Sequence, residues 1–485
     1  MVLDQEFSYP FKTKPYEHQR IALEKSWDKD DYALFMEMGT GKSKVLIDNI
    51  AILYDRGFLD AAVIIAPKGV YHNWELTELP THLPDHIIHK TVVWNPTATK
   101  HQQELLDSLF VFPDEELNIL IMNVEAFSTP KGSAFVQKFL KTHTALMAVD
   151  ESTTIKNPKA KRTKNIIKLG KLAKYRRILT GSPVTKSPLD LYSQCEFLDE
   201  VYLGYASFYS FRSRYAIIQK RSVATHSFQQ VLGYQNLTEL NEVLKSFSYR
   251  ILKQDCLDLP EKVYVRRNIQ LTKEQKEVYE NLKKWAVASL EEGDITAVNV
   301  ITQLLRLQQV TCGYAKLDDG SFKELPNHRI DELLSVLEEV GGKAIIWANY
   351  IYDIRKICEV LGKTYGEESY GAYYGAVSDK ARQKLIVDFQ SSSSPCRFFV
   401  GQVRTGGYGL TLTAASTVIY YSNNYDLEVR MQSEDRAHRI GQTNKVTYVD
   451  LVAENTVDEK IVKALKNKIN LANAVMGDAW REWIT

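Results

Sequence analysis

Two separated stretches of the sequence carry side chains suited to binding phosphate. Residues 35–43 read Phe-Met-Glu-Met-Gly-Thr-Gly-Lys-Ser, in which the glycine backbone lets N–H groups approach phosphate oxygens. Residues 432–442 place Arg436 and Arg439 three positions apart, one turn of a helix, beside two glutamines and a histidine. Groups of this kind are rarely buried without partners, so the stretch should either coat a solvated helix or meet a highly charged ligand. Because a phosphate loop is also present, the two arginines become candidate fingers for the same phosphates.

The first stretch supplies the groups that a nucleotide cradle needs. Lys42 can reach β- and γ-phosphates, and the Ser43 hydroxyl can hold Mg²⁺. The run Gly39, Thr40 and Gly41 would bring bare backbone against the phosphates. The alternative is a helix-opening turn that carries a solvated lysine.

A pair of carboxylates favours the cradle over that alternative. The apolar residues 145–149 are followed directly by Asp150 and Glu151. Ligands of open α/β sheets bind at the carboxyl ends of the strands. Asp150 would therefore hold Mg²⁺, and Glu151 would polarise the attacking water. On its own, such a pair is more often part of a solvated surface. Together with the phosphate loop, it favours a nucleotide site.

Length and composition narrow the class of protein. A chain of 485 residues exceeds the size at which one core keeps growing, which indicates two or three domains. With 61 basic and 60 acidic residues, any nucleic-acid contact must come from a local groove. Five scattered cysteines without CxxC spacing argue against zinc and against a disulfide framework. No signal peptide or long apolar stretch is evident, so we expect a cytoplasmic protein without membrane segments, in a host cytoplasm if it is viral.

Short apolar segments rich in β-branched residues alternate with helical patterns in two blocks. The six segments are 61–66, 119–122, 145–149, 344–347, 398–400 and 417–421. Strands that alternate with helices imply parallel α/β sheets. The intervening region, 189 to about 340, is mostly helical in pattern.

This organisation predicts two lobes. Residues 257–262 contain a proline and no clear periodicity, which favours a connection there. The predicted divisions are a first lobe at 1–256 with a helical insertion at about 190–250, a connection at 257–264, and a second lobe at 265–485 with a helical insertion at about 265–340 and a C-terminal helix at 457–476.

Short motifs recur in a fixed order along nearly the whole chain. They are residues 16–19, 37–43, 65–68 with 73–74, 150–153 with 155–157, 179–183, 374–375 through Arg382 and Phe389, 405–413, and 432–442. The ordered set resembles the Swi/Snf-type ATPases of helicase superfamily 2, in particular the compact versions of prokaryotes and their viruses. Any one motif could arise by chance, but the order could not easily do so.

The resemblance implies two RecA-like lobes that clamp ATP and Mg²⁺ in a cleft. Gln19 would read the adenine, and Gln432 would help to sense the nucleotide. Arg436 and Arg439 would reach the γ-phosphate from the second lobe, so hydrolysis would require lobe closure. Residues 179–183 resemble the family's coupling motif, which implies that release after hydrolysis would become a step along DNA.

DNA contacts are also implied by motif position. The resemblance assigns them to Lys68, Asn73, Thr405 and Gly406. A basic run after the carboxylates, which includes Lys161 and Arg162, is of the kind that tracks phosphates without reading sequence. The alternative for this run is a solvated lysine-rich helix.

One further stretch has two interpretations. Residues 208–215 interleave aromatic and basic side chains and could form a duplex wedge, although core packing of a helical hairpin is the more ordinary interpretation.

Three departures from the family pattern are present. Thr153 replaces a histidine, His18 stands where an aromatic residue is common, and residues 425–427 replace Trp-Asn-Pro. They point to the compact branch and away from chromatin remodellers.

The sequence therefore predicts an ATP-driven, Mg²⁺-dependent DNA translocase or helicase. It should act as a monomer on duplex, forked or junction DNA without sequence preference, in replication, recombination or repair. Two alternatives are an RNA helicase of the same superfamily and a nucleotide-gated DNA-binding scaffold without turnover.

Overall fold

The computed structural model describes residues 9–68, 70–111, 116–223, 226–291, 297–317, 319–405 and 410–476. The chain forms two compact units. Unit 1 comprises the residues up to Asp258 together with the segment from Asn470, and unit 2 extends from Leu259 to Ile469.

Unit 1 is built on a seven-stranded parallel sheet, in the order β3-β4-β2-β5-β6-β1-β9, with a separate antiparallel hairpin of β7 and β8. The strands are β1 (Asp31–Met36), β2 (Ala61–Ala66), β3 (His89–Val93), β4 (Leu117–Asn123), β5 (Ala145–Asp150), β6 (Tyr175–Leu179), β7 (Ala216–Val223), β8 (His226–Tyr234) and β9 (Ser248–Ile251).

The helices of unit 1 cover both faces of this sheet. They are α1 (Glu17–Ser26), α2 (Lys42–Asp55), α3 (Tyr71–Asn73), α4 (Leu79–His82), α5 (Lys100–Ser108), α6 (Pro130–Thr142), α7 (Lys161–Gly170), α8 (Leu191–Leu198), α9 (Phe208–Tyr215), α10 (Leu237–Lys245) and α11 (Lys253–Cys256). Strand β2 is buried at every position. Its alternate residues enter two different apolar clusters, Val63 one and Ile64 the other. Continuous apolar runs of this kind are typical of strands covered on both sides.

Unit 2 repeats the architecture with a six-stranded parallel sheet, in the order β10-β17-β16-β13-β15-β14, and a small antiparallel pair of β11 and β12. Its strands are β10 (Lys262–Ile269), β11 (Tyr314–Lys316), β12 (Phe322–Glu324), β13 (Lys343–Ala348), β14 (Tyr370–Tyr373), β15 (Phe398–Gln402), β16 (Ala415–Tyr420) and β17 (Val446–Ala453). Its helices are α12 (Lys273–Glu291), α13 (Ala297–Thr311), α14 (Arg329–Glu339), α15 (Ile351–Tyr365), α16 (Asp379–Gln390), α17 (Leu427–Glu434) and α18 (Val457–Met476), whose residues from Asn470 belong to unit 1.

The prediction of two parallel α/β blocks is confirmed, and all six apolar segments form strands of the two sheets. The prediction that residues 189–340 are mostly helical is wrong in part. This region contains the hairpin β7–β8 and the sheet strands β9 and β10, and β10 begins inside the predicted connection at 257–264. Strand β9 has four residues, the shortest length over which alternation indicates a strand.

The cysteines and helices bear on two expectations, that the protein has no disulfide framework and no membrane segments. Within the described residues, all five cysteines are free thiols. No helix there has both the length and the apolar character that crossing a lipid bilayer requires. The cytoplasmic location itself stays a prediction.

Candidate nucleotide-binding site

Three loops of unit 1 meet at the carboxyl edge of its sheet. Strand β6 lies between β5 and β1, and its last residue, Leu179, stands opposite both Asp150 and Leu34. The phosphate loop (residues 37–43) follows β1, the carboxylates end β5, and the coupling segment (residues 179–183) follows β6. In parallel strands these ends share one edge, so the topology places the predicted loops side by side.

The phosphate loop has the backbone conformation that an anion cradle needs. Gly39 and Gly41 have φ angles of 77° and 87°, in the left-handed region that favours glycine. Gly41 is also the N-cap of α2, so the N-terminal N–H groups of that helix face the loop. The Thr40 hydroxyl closes the turn by donating to the Glu37 carbonyl oxygen at 2.7 Å.

The predicted adenine reader lies against the phosphate loop. Gln19 Nε2 donates to the Thr40 carbonyl oxygen at 3.0 Å, and His18 Nε2 lies 2.8 Å from the same oxygen. Gln19 Oε1 accepts a hydrogen bond from the Tyr16 backbone N–H at 3.0 Å. A Cβ atom on Gly41 would lie 2.0 Å from Gln19 Nε2. Gln19 therefore fixes the loop, and its contact with adenine stays a prediction.

The carboxylate of Asp150 is held on both oxygens. Trp74 Nε1 donates to Asp150 Oδ2 at 3.0 Å, and the Glu151 backbone N–H donates to Oδ1 at 3.0 Å. Burial raises the pKa of Asp150 above its usual range, while the charge of Lys42 and these two hydrogen bonds oppose the rise. Lys42 is itself buried. A hydroxyl and a carboxylate are oxygen ligands that Mg²⁺ accepts, so Ser43 and Asp150 fit the predicted ion.

Trp74 is a residue whose contact sequence reasoning missed. The motif order placed it with the DNA-contacting residues, whereas the structure pairs its indole with the Asp150 carboxylate. The only sequence signal is its position next to Asn73 in the motif.

Glu151 has an unusual backbone and connects to the coupling segment. Its φ and ψ angles are 47° and 61°, a left-handed conformation uncommon for a residue with a side chain. Thr180 Oγ1 donates to Glu151 Oε2 at 3.5 Å, a long hydrogen bond, and the Ser182 N–H donates to Thr180 Oγ1 at 3.2 Å. The predicted water-orienting carboxylate thus contacts the segment predicted to couple hydrolysis to motion.

In unit 2 the arginine segment (residues 432–442) is helical only in its first three residues. Helix α17 ends at Glu434, and both arginines lie in the turns beyond it. The hydroxyl of Tyr448 donates to the Glu434 carbonyl oxygen at 2.9 Å, and the same oxygen accepts from the Ala437 and His438 backbone N–H groups at 3.2 Å. Because residues 432–438 are all buried, the alternative of a solvated helix is wrong.

The two predicted fingers converge on one acceptor. Arg436 Nη1 and Arg439 Nη1 donate to the Leu410 carbonyl oxygen at 3.3 and 3.2 Å. Arg436 is buried, and Arg439 is half-buried. Gln432 is also buried, and its Nε2 donates to Glu428 Oε1 at 3.4 Å. The structure brings these three side chains into one segment, while their action on a nucleotide stays a prediction.

A buried charge network anchors this segment, and the sequence did not single it out. Arg430 donates from Nε to Glu434 Oε1 at 2.9 Å and from Nη1 to Asp450 Oδ1 at 2.6 Å. Its guanidinium carbon lies 3.5 Å from the centre of the Tyr420 ring. The network ties α17 to strands β16 and β17.

The DNA-contact residues predicted from motif position have mixed environments. Lys68 is exposed after β2. Asn73 Nδ2 donates to Glu78 Oε1 at 3.1 Å, and Thr405 Oγ1 donates to Gln402 Oε1 at 3.0 Å. Gly406 lies outside the described residues.

The basic run begins helix α7. Lys161 is exposed at its first position. Arg162 is engaged within unit 1, because Nη1 donates to Glu125 Oε1 at 2.7 Å and Nε donates to the Thr154 carbonyl oxygen at 3.2 Å. Of the two, Lys161 is therefore the better placed for a phosphate.

The stretch predicted as either a wedge or core forms helix α9. Phe211 and Tyr215 are buried in the core of unit 1, which confirms core packing for these two residues. Helix α9 packs against helix α8, whose Tyr192 ring contacts Phe208 and Phe211, and the hairpin β7–β8 follows it. Tyr209 is exposed, and Arg214 pairs with Glu239.

A phosphate loop and strand-end carboxylates on one parallel sheet, followed by a second parallel-sheet unit with paired arginines, define a helicase-type nucleotide-binding core. Residues 23–315 match the SNF2-related domain, and residues 327–441 match the helicase conserved C-terminal domain. Because the first match covers more than half of the chain, the protein belongs to the SNF2 family of superfamily 2, a class of helicase-type ATPases with two RecA-like lobes.

The chain is also similar to individual proteins. It is 25% identical over 477 residues to a CHD3-type chromatin-remodeling factor of Arabidopsis thaliana, covering 94% of this chain and 36% of that protein. It is 24% identical over 447 residues to an uncharacterized ATP-dependent helicase of Mycoplasma genitalium, covering 91% of this chain and 40% of that protein. The chain thus spans less than half the length of these relatives.

Among solved structures, the chain is similar to the Sulfolobus solfataricus SWI2/SNF2 ATPase core in complex with dsDNA. The identity is 23%, the coverage is 98% of this chain and 96% of that chain, and the TM-score is 0.44.

Proposed function

We propose that the protein is an ATP-driven, Mg²⁺-dependent translocase or helicase that acts on duplex or branched DNA without reading its sequence. The observation that carries the proposal is the meeting of the phosphate loop, the Asp150–Glu151 pair and the coupling segment at one sheet edge. Membership of the SNF2 family and the helicase name of a relative support it. A motor without sequence preference suits DNA replication, recombination or repair.

The residues of unit 1 have separate parts in hydrolysis. The backbone from Gly39 to Gly41 and the ammonium of Lys42 would bind the β- and γ-phosphates. Mg²⁺, held by Ser43 and Asp150, would neutralise charge on the phosphates. Trp74 and the Glu151 N–H orient the Asp150 carboxylate, which must be ionised to act as a ligand, and the nearby Lys42 favours that form. Glu151 would orient the attacking water.

The arginines of unit 2 would supply the remaining positive charge. The two guanidiniums converge on Leu410, whose carbonyl oxygen carries only partial negative charge. A phosphate is a stronger, charged acceptor for the same donors. Charge stabilisation that needs both units would make hydrolysis depend on their closure.

DNA would be held mainly through its phosphates. Exposed Lys68 and Lys161 suit this part, and Asn73, Thr405 and Gly406 are proposed from motif position. Contacts to phosphates carry no sequence information, so affinity should fall steeply with salt and vary little with sequence.

One set of assays tests this proposal against its alternatives. ATP hydrolysis is measured with duplex DNA, forked DNA, single-stranded DNA and duplex RNA, with Lys42→Ala as the inactive control. We expect strong stimulation by duplex or forked DNA. Stimulation by RNA in place of DNA would support the RNA helicase, and DNA binding without any turnover would support the scaffold.

Strand displacement then separates tracking from unwinding. We expect ATP-dependent removal of the third strand of a DNA triplex and weak unwinding of a plain tailed duplex. Efficient unwinding of the tailed duplex without triplex displacement would replace duplex translocation by a conventional single-strand helicase activity.

A further inference from the structure

Arg250 joins two loops of the candidate site through their backbones. It is the third residue of edge strand β9 and stands opposite Phe35 of β1. Its Nη1 donates to the Phe35 carbonyl oxygen at 3.1 Å and to the Gly181 carbonyl oxygen at 3.0 Å. One guanidinium nitrogen thus bridges the strand that leads into the phosphate loop and the coupling segment.

The residues after Arg250 hold the start of the phosphate loop. The Glu37 backbone N–H donates to the Ile251 carbonyl oxygen at 3.0 Å, and Glu37 Oε2 accepts from the Lys253 backbone N–H at 2.8 Å. The Lys253 side chain is buried, and a Cβ atom on Gly39 would lie 3.4 Å from its Cε. Residues 250–253 therefore contact the phosphate loop from its first residue to its first glycine.

The coupling segment packs directly against the phosphate loop at the same place. A Cβ atom on Gly181 would lie 2.9 Å from the Met38 backbone nitrogen, so the two backbones touch where Gly181 has no side chain. The neighbouring Thr180 donates to Glu151. A displacement of the coupling segment would change the geometry of both Glu151 and the Arg250 bridge.

We propose that Arg250 is a positioning residue that transmits the state of the nucleotide site to the chain leaving unit 1. Leu259, where unit 2 begins, follows Lys253 by only six residues. When Gly181 moves relative to Phe35, the two hydrogen bonds of Arg250 cannot both persist, and β9 with residues 251–253 must respond. The inference rests on the proposed ATPase and adds a path from hydrolysis to motion.

The test compares Arg250→Gln and Arg250→Lys with Arg56→Ala, which removes an exposed arginine stacked on Trp27 in the same unit. Three quantities are measured: affinity for a fluorescent ATP analogue, the DNA-stimulated rate of hydrolysis, and third strands displaced per ATP hydrolysed. Arg250→Gln should keep nucleotide affinity within about threefold, because the phosphate cradle remains. It should lower the DNA-stimulated rate about tenfold or more and reduce displacement per ATP. Arg250→Lys should recover part of the DNA-stimulated rate and part of the displacement per ATP, because an ammonium still donates hydrogen bonds.

The outcomes are separable. If Arg250→Gln behaves like Arg56→Ala, Arg250 has no positioning role. If its nucleotide affinity falls as far as its turnover, Arg250 only supports the shape of the phosphate loop, and the inference is wrong. Should the glutamine variant be insoluble, the lysine variant decides alone: equal losses of affinity and turnover overturn the inference, whereas a loss confined to turnover and displacement supports it. A wild-type protein without DNA-stimulated hydrolysis would overturn the proposed function itself.

Discussion

The phosphate loop of unit 1 and the arginine segment of unit 2 are held in place by different means. The first follows a strand, opens a helix and is bonded by backbone groups of Ile251 and Lys253 and by the side chains of His18 and Gln19. The second begins in the last turn of α17, continues beyond the helix end and is anchored by the buried charges of Arg430, Glu434 and Asp450. Hydrogen bonds from helix α1 and from residues 251–253 therefore hold the cradle, whereas a buried charge network holds the arginine segment. We expect mutations in unit 1 to affect chemistry while sparing the fold, and mutations around the arginines to affect both.

The strongest test of the first half of this contrast is Lys42→Ala. The remaining backbone cradle cannot replace a positive charge on the β- and γ-phosphates, so hydrolysis should fall by about a thousandfold or more. The melting temperature should stay close to that of Lys29→Ala, which removes an exposed lysine of the same unit. Steady-state ATPase measurements test this. Turnover within about twofold of wild type would falsify the assignment of Lys42 to the β- and γ-phosphates.

Glu151→Gln should separate binding from chemistry. The amide keeps the shape of the side chain and leaves Asp150 in place but cannot orient water as a base, so turnover should fall by about a thousandfold. ATP should remain bound and uncut in a filter-binding assay. Glu200→Gln, at an exposed ion pair with Lys171, is the matched control. A joint collapse of nucleotide affinity and turnover would show that Glu151 is structural.

Arg439→Ala and Arg430→Ala test the second half of the contrast. Arg439→Ala should lower the turnover number about a hundredfold or more and spare affinity for nucleotide and DNA. Arg430→Ala leaves buried carboxylates unpaired and should cost about 3–5 kcal/mol of stability, visible as a lower melting temperature of unit 2. An insoluble Arg439→Ala protein would instead indicate a structural ion-pair role for Arg439.

Substitutions in the basic run of unit 1 should have a smaller effect, on the affinity for DNA. Reversal of Lys161 and Arg162 to glutamate should weaken binding about tenfold, alike on unrelated sequences, and flatten the salt dependence. Lys161→Glu alone should account for most of the loss, because Arg162 already pairs with Glu125. Fluorescence anisotropy at several salt concentrations measures the affinity for DNA and its salt dependence. Unchanged affinity at low salt would remove the run from the DNA surface.

A further prediction concerns how the stability of unit 2 depends on pH. Burial raises the pKa of Asp353 to about 8, against the charge of Arg329. The folded state therefore holds a proton that the unfolded state loses near pH 4, and stability from this group falls as the pH rises from about 4 to about 8. Asp353→Asn should remove this fall in urea unfolding curves between pH 6 and pH 8. Parallel pH profiles for the two proteins would show that Asp353 is ionised in the fold.

The sequence predicted the family and both parallel-sheet blocks because each depends on local features: motifs of a few residues and runs of apolar side chains. It did not predict the contacts that join distant elements. Trp74 meets Asp150 across 76 positions, and Arg250 meets Phe35 across 215. Such pairs follow from strand order, which no local pattern contains. The predicted helical position of Arg436 was also wrong, since α17 ends at Glu434 and Arg436 lies in the turn beyond it.

The left-handed backbone of Glu151 has a consequence for directed evolution. A non-glycine residue in this region costs about 1–3 kcal/mol, which glycine or asparagine would largely avoid. A library of variants selected only for heat resistance or expression should therefore enrich glycine or asparagine at position 151. Each gain would discard the carboxylate proposed to orient water, so screens for robustness would steadily collect inactive proteins unless turnover is selected as well.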